Sequence, residues 1–325
     1  MSYSVRTNLF GTPWQTLVTA EFTGNWKMVS VSGLAYASVA ALLWGFVPVY
    51  IDFLGDVNPM EIVAHRALWS GIILAGLILL APSMFGGLAD ARAAFATRKM
   101  KLDFSITCGL LSLNWIVFVY AVQSRQVFDA ALGYFIYPLL TVVLGVWILR
   151  ERLNIWGWVA VGIVACGVAF KALTLGGVPW IALVLAVSFA LYGVTRKRMM
   201  VDPVIGMFVE TVFLIPISII YLAWQHGTGE AIFFGGGAAN VTLAVLAGVV
   251  TVVPLLLYHA GNRALPISVA SLLFYINPTT QLVVGLVYFD LSAAPEEWLV
   301  FGLIWAGLLV FFTTRRGGRS VDNAR

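Results

Sequence analysis

The sequence predicts an all-α polytopic membrane protein whose ten transmembrane helices form two inverted five-helix repeats. Three observations predict it. The 325 residues are 61% hydrophobic and only 10% charged, with a mean hydropathy of +0.93, against about 25% charged residues in an ordinary soluble domain. The apolar residues gather in runs close to the length that crosses a bilayer as a helix. Rare residues also recur at fixed offsets between the two halves of the chain.

Backbone N–H and C=O groups find no water in lipid, so a spanning segment must bond to itself as a helix or close into a barrel. The alternating pattern of barrel strands is absent, which leaves helices. Charged residues and Gly/Pro clusters bound apolar runs at 33–51, 59–81, 103–122, 129–149, 156–172, 179–194, 203–223, 241–260, 267–289 and 297–314. They leave no room for a soluble domain. Residues 1–32 lack the continuous apolar core of a secretory signal, being interrupted by Trp14, Gln15, Glu21, Asn25 and Lys27. They read as a cytoplasmic tail, or as an over-called start ahead of Met28. Cys108 and Cys166 lie inside apolar runs without partner spacing and read as small hydrophobes.

The formal charge of +4 does not point to nucleic acid, because the basic residues sit in short connections and not on a soluble face. Those connections set the orientation instead, since cytoplasmic loops retain Lys and Arg. Apart from Arg66, which lies inside a run, only Arg125, in the connection after the third span, and Lys171, at the end of the fifth, fall on the side where odd-numbered spans end; the other Lys and Arg, Arg196 among them, fall in the termini or the alternate connections. Both termini are therefore expected in the cytoplasm. Asp52, Asp56, Glu230, Asp290, Glu296 and Glu297 populate the opposite side.

A shift of 140 residues aligns Pro138 with Pro278, Gly145 with Gly285, Trp158 with Trp298, Gly162 with Gly302 and Gly167 with Gly307. Earlier in each half a shift of 144 aligns Asn58-Pro59 with Asp202-Pro203, each an N-cap followed by proline at the first helical position. The repeats then run over 33–172 and 179–314, followed by a basic cytoplasmic tail at 315–325. An odd number of helices per repeat inverts the second copy. Inverted repeats of this kind build transporters whose substrate path lies at their interface near the midplane.

An ionisable side chain inside a span costs several kcal/mol on insertion scales and calls for a partner or a wet cavity. Arg66 and Glu210 each follow their helix-opening proline by seven positions and so occupy equivalent places in the two repeats. Both are expected to line the central path, Arg66 toward the outside and Glu210 toward the inside. The competing reading is a structural contact between helices. Glu61 and His65 stand four apart and are placed for a local pair, with Glu61 expected to be solvated at the helix mouth. Tyr134, Tyr137 and Thr141 form a polar stripe at helical spacing, and the 140-residue shift maps them onto Phe274, Asn277 and Gln281. Pro138 and Pro278 are expected to kink these helices and free a carbonyl one turn earlier. Asn114 with Trp115, and Thr251, Pro254, Tyr258 and His259, complete the candidates. Gly33, Ala37, Ala41 and Gly45, and likewise Ala182, Ala186 and Ala190, recur every four positions and allow close helix approach.

Several segments resemble RarD-type proteins of the EamA group in the drug/metabolite transporter superfamily. They are Ile62-Val63-Ala64-His65-Arg66-Ala67-Leu68-Trp69-Ser70, Leu113-Asn114-Trp115, Ala131-Leu132-Gly133-Tyr134-Phe135-Ile136 with Pro138, and Glu210-Thr211 leading to Pro216. The resemblance covers residues 33–314. Where that family commonly has Asn before the first of these prolines, this chain has Tyr137, while the second half keeps Asn277-Pro278. The resemblance implies a bacterial inner-membrane permease, often labelled chloramphenicol-sensitive.

The expected function is thus alternating-access transport of a small polar metabolite or drug-like molecule, by a monomer or homodimer in the lipid bilayer. A passive channel would share the topology, but no charged ring or carbonyl filter repeats around an axis. No HExxH, GxSxG or GxxxxGK[ST] motif suggests an enzyme or an ATP-driven pump, and no cofactor or metal site is expected.

Overall fold

The computed structural model describes residues 30–85, 87–148, 155–174, 178–199, 201–231, 233, 237–265 and 273–314. Residues 1–29 of the expected tail at 1–32, the expected tail at 315–325, the connection holding Arg150 and Arg152, and the start of the ninth expected span lie outside them. The described residues form helices and connections, with no strand among them.

The first span is two helices, α1 (Val31–Gly45) and α2 (Val47–Phe53), parted at Phe46. Pro48 lacks the N–H that would continue the ladder back to Trp44, so the chain breaks there. The chain continues as α3 (Pro59–Leu80), the short α4 (Pro82–Phe85) and α5 (Leu88–Ala94), α6 (Arg98–Gln123), α7 (Val127–Ile148) and α8 (Ile155–Thr174). The second half holds α9 (Trp180–Met199), α10 (Pro203–Thr228), α11 (Ala238–Ala264), α12 (Ile276–Val287) and α13 (Pro295–Thr314). Among the described residues, seven helical segments, with α1 and α2 counted as one, are long and apolar enough to cross a membrane.

The two expected cap-and-proline starts form as read. Asn58 Oδ1 accepts from the Met60 N–H at 2.9 Å, and Asp202 Oδ1 accepts from the Val204 N–H at 2.9 Å. Each satisfies an orphan donor at the head of its helix, with proline at the position that needs no donor.

Polarity is distributed inside out. Leu80, Leu173, Trp147 and Val287 stand on the exterior, while Glu61, His65, Arg66, Asn114, Glu210, Gln225, Asn277 and Gln281 are buried. Lipid accepts the first group; the second must be satisfied within the protein.

The broadest helix contacts join a helix from 31–174 to one from 180–314. α1 packs on α11 and α12, α3 on α10 and α11, α6 on α9, α7 on α9 and α12, and α8 on α13. Small residues let these helices approach, as expected of the α1 and α9 stripes. A Cβ on Gly33 would lie 2.8 Å from Ala264 Cβ, and one on Gly261 would lie 2.8 Å from Ala37 Cβ. Ala182, Ala186 and Ala190 are fully buried, and α9 comes so near α7 that a Cβ on Gly133 would lie 2.8 Å from the Ala182 carbonyl.

Alternate connections meet at one face. Arg125 reaches Asp52 at 3.3 Å, Tyr288 donates to Asp52 at 3.0 Å, and Gln123 donates to the Gly55 and Val57 carbonyls. Lys171 bridges Asp129 at 2.8 Å and Glu297 at 3.6 Å.

Two expectations are corrected here. Glu61 is not solvated: it is fully buried, with Oε2 accepting from Gln225 Nε2 at 3.0 Å and Oε1 from the Phe233 N–H at 3.1 Å. The sixth span does not stop at 194, because α9 continues to Met199 and carries Arg196 in its final turns. Near Pro278 the helical path breaks one turn before the proline, as at Pro48: residues 273–274 are helical, the chain turns at Tyr275, and α12 opens at Ile276, because Pro278 has no N–H for the Phe274 carbonyl.

Candidate functional site

α1, α3, α6, α7, α9, α10, α11 and α12 contribute side chains to a cavity of about 770 Å³ between the halves. That size accommodates a drug-sized solute. Its wall holds eleven of the residues singled out from sequence: Arg66, Asn114, Trp115, Tyr134, Tyr137, Thr251, Tyr258, His259, Phe274, Asn277 and Gln281. His65, Thr141 and Glu210 are not on it.

Arg66 enters from α3, one turn beyond the buried Glu61. Its Nε donates to Thr251 Oγ1 at 3.1 Å, and its guanidinium carbon lies 4.4 Å from the Trp115 ring centroid. Thr251 comes from α11 and Trp115 from α6, so the charge is held by three helices. The ring face supplies about 0.5–2 kcal/mol of cation–π attraction, according to how far the pair is desolvated.

A polar band links the halves beside it. Asn114 Nδ2 donates to the Leu185 carbonyl at 3.1 Å and to Ser188 Oγ at 3.0 Å, while its Oδ1 accepts from the Tyr134 hydroxyl at 3.1 Å. Across the cavity Gln281 Nε2 donates to Asn277 Oδ1 at 3.0 Å. Thr141, the last member of the expected stripe, instead donates to its own helix at the Tyr137 carbonyl, 2.9 Å away. A hydroxyl that short reaches its own i−4 carbonyl more readily than a cavity.

Aromatic rings form the remaining wall. Trp44 lies 5.4 Å from Tyr258 and 5.8 Å from Phe274 between centroids. Tyr137 continues the chain at 5.3 Å from Phe274 and 5.0 Å from Phe189, and Phe189 stacks on Tyr192 at 5.8 Å. These separations are those of favourable edge and offset aromatic pairs.

Glu210 lies behind the wall. It is fully buried, accepts from the Tyr192 hydroxyl at 3.2 Å and faces Arg196 Nε at 3.6 Å. That separation is a charge contact, too long for a strong hydrogen bond. Arg196 does line the cavity. A Cβ on Gly206 would collide with its guanidinium, so this glycine makes room for the charge. His65 also stands away from the cavity, its ring edge-on to Phe233 at 4.6 Å.

Sequence reasoning missed Arg196, Trp44, Phe189 and Tyr192. Arg196 was hidden in the basic cluster with Lys197 and Arg198, which resembles a cytoplasmic loop. One signal pointed to it: the small-residue period from Ala182 to Ala190 continues to the buried Val194, so α9 runs on to position 196.

Residues 31–172 match the EamA-like transporter family. Over 279 residues the chain is 35% identical to "Protein RarD" of Streptomyces exfoliatus, covering 86% of this chain and 87% of that one. It is also 35% identical to "Uncharacterized transporter YojE" of Bacillus subtilis, covering 86% and 93%. A solved crystal structure, 19% identical, superposes with a TM-score of 0.57 over 88% of this chain and 99% of its own, and shares the fold.

Proposed function

Because this chain belongs to the EamA-like transporter family as a RarD-like member, we propose that it carries a small polar metabolite or drug-like molecule across the bacterial inner membrane by alternating access. It is a multi-pass bacterial membrane protein of the drug/metabolite transporter superfamily. The reading beyond that rests on ten spans, with α1–α2 counted as one, in two inverted repeats, both termini cytoplasmic.

The helix contacts support the repeat. Exchanging α1 with α9, α3 with α10, α6 with α11, α7 with α12 and α8 with α13 turns each of the broad contacts between halves named above into another that is present, α3 on α11 becoming the narrower α6 on α10. The match extends to single residues on α8 and α13. A Cβ on Gly167 would lie 3.3 Å from Leu303 Cβ and 3.6 Å from the Val300 carbonyl; one on Gly307 would lie 3.6 Å from Ile163 Cβ and 3.0 Å from the Ala160 carbonyl. The 140-residue shift converts one set of partners into the other. Two surfaces related by a two-fold axis make contacts of this reciprocal form.

The observation that carries alternating access is the difference between the two ends of the cavity. One end reaches the α9–α10 connection at Val201 and Pro203. The other is covered by the apolar cluster containing Ile51, Leu54, Val57, Phe233 and Phe289, and by the Asp52–Arg125 and Glu61–Gln225 contacts. A carrier must exchange that asymmetry for its mirror image across the repeat.

A thermal-shift screen of the purified protein against metabolites and antibiotics names a ligand, because binding only the folded state raises stability. Each stabilising compound is then tested for counterflow in proteoliposomes. Trans-side compound accelerates uptake by a carrier; absence of acceleration for every binder overturns the proposal. In a background without Cys108 and Cys166, a bifunctional maleimide joining Asp52→Cys to Arg125→Cys should halt exchange. Undiminished exchange with the link in place overturns alternating access.

A further inference from the structure

We propose that the cavity selects a small organic monoanion with a flat apolar body, and that Arg66 is the anchor for its acidic group. This rests on the transport reading only for where the ligand goes next; the site itself is argued from charge and shape.

The charge balance of the wall is positive. Arg66 and Arg196 line the cavity, and no Asp or Glu does so among the described residues. Glu210 lies behind the wall against Arg196 and Tyr192 and offsets the second of these cations. Arg66 has no carboxylate within 4.0 Å among the described residues. Its neighbours, Thr251 and Trp115, are neutral.

Arg66 also has donors to spare. A guanidinium presents several N–H groups in a fork that matches a carboxylate or phosphate. Only Nε is bonded to a described residue. The terminal nitrogens are absent from the buried atoms that lack a partner, on a side chain that forms part of the cavity wall. They are therefore open to a solute. The Trp115 face and the Thr251 hydroxyl fix the plane of the fork before any ligand arrives, which lowers the ordering cost of binding.

Shape completes the assignment. The rings of Trp44, Tyr258, Phe274, Tyr137 and Phe189 form a continuous surface at 5.0–5.9 Å spacings. Such a wall favours a planar apolar group. An amine head would meet uncompensated positive charge with no acceptor of opposite sign on the wall. One uncompensated cation calls for one negative charge.

The test uses the purified full chain in detergent and a matched panel of aromatic carboxylates, their carboxamides and the corresponding amines, with indole-3-acetate, indole-3-acetamide and tryptamine as the first set. Binding is read by thermal shift and by calorimetry. Acids should bind about tenfold to a hundredfold more tightly than their amides, the range for hydrogen bonds to a charged group. Arg66→Gln should remove that preference, and Arg66→Lys, which keeps the charge but loses the fork, should retain part of it. Four results overturn the proposal: no acid in the panel binds, amides bind as well as acids, amines bind best, or Arg66→Gln keeps the preference. An acid that binds but shows no counterflow refutes the transport reading and leaves the anion site standing. A neutral or cationic compound exchanged by counterflow, with no acid bound, does the reverse.

Discussion

Arg196 Nε lies 3.6 Å from Glu210 Oε1, a contact between α9 and α10 at the back of the cavity wall. Glu210 is fully buried and the Arg196 side chain nearly so, so each ion depends on the other. Removing one partner strands the other charge away from water, at a cost of about 3–5 kcal/mol. Glu210→Ala and Arg196→Ala should each lower the melting temperature sharply in detergent. The double variant Arg196→Met/Glu210→Met should be more stable than either single change. Additive losses in a double-mutant cycle would show that the two side chains do not form a pair.

Gly206 provides a second handle on the same pair. A methyl group there overlaps the Arg196 guanidinium, whereas one at Gly162 has no neighbour within 4 Å. Gly206→Ala should therefore reproduce the destabilisation of Arg196→Ala, while Gly162→Ala should melt like the parent protein. Equal melting temperatures for the two glycine variants would contradict this placement of Arg196.

At the covered end, Glu61 holds both Gln225 and the Phe233 backbone N–H. Glu61→Ala leaves both buried donors unmatched, a penalty of about 1–3 kcal/mol for each. The variant should admit a small maleimide to a cysteine placed at the fully buried Ile62 at least several-fold faster than the parent background. Glu61→Gln keeps one acceptor oxygen and should accelerate labelling less. Unchanged labelling rates would remove Glu61 from the closure.

The α8–α13 contact gives a ranking. A Cβ on Gly307 would meet Val164 Cγ2 at 2.8 Å and a backbone oxygen at 3.0 Å, while a Cβ on Gly167 would meet nothing closer than 3.3 Å. Overpacking costs typically about 1–3 kcal/mol, and backbone yields less readily than side chain. Gly307→Ala should lower the melting temperature more than Gly167→Ala. The reverse order would reject the interhelical distances.

The sequence by itself determined what chain chemistry dictates locally. Apolar runs of membrane length specified helices, because lipid leaves the backbone no other partner. Asn58-Pro59 and Asp202-Pro203 marked helix starts, and the four-residue spacing of small side chains on α1 and α9 marked close packing. The polar stripe put Tyr134, Tyr137, Asn277 and Gln281 on the cavity wall, since helical periodicity fixes which residues share a face.

Tertiary structure decided everything that depends on a partner distant in sequence. Glu61 looks solvated in the sequence because its partners, Gln225 and Phe233, lie 164 and 172 positions away. Arg196 resembled a loop cation until α10 brought Glu210 against it and Gly206 left it space. Glu210, which like Arg66 follows its helix-opening proline by seven positions, lies behind the wall, and Arg66 keeps its charge toward the cavity. An ion's role follows from which neighbour neutralises it, and only the folded chain supplies that neighbour.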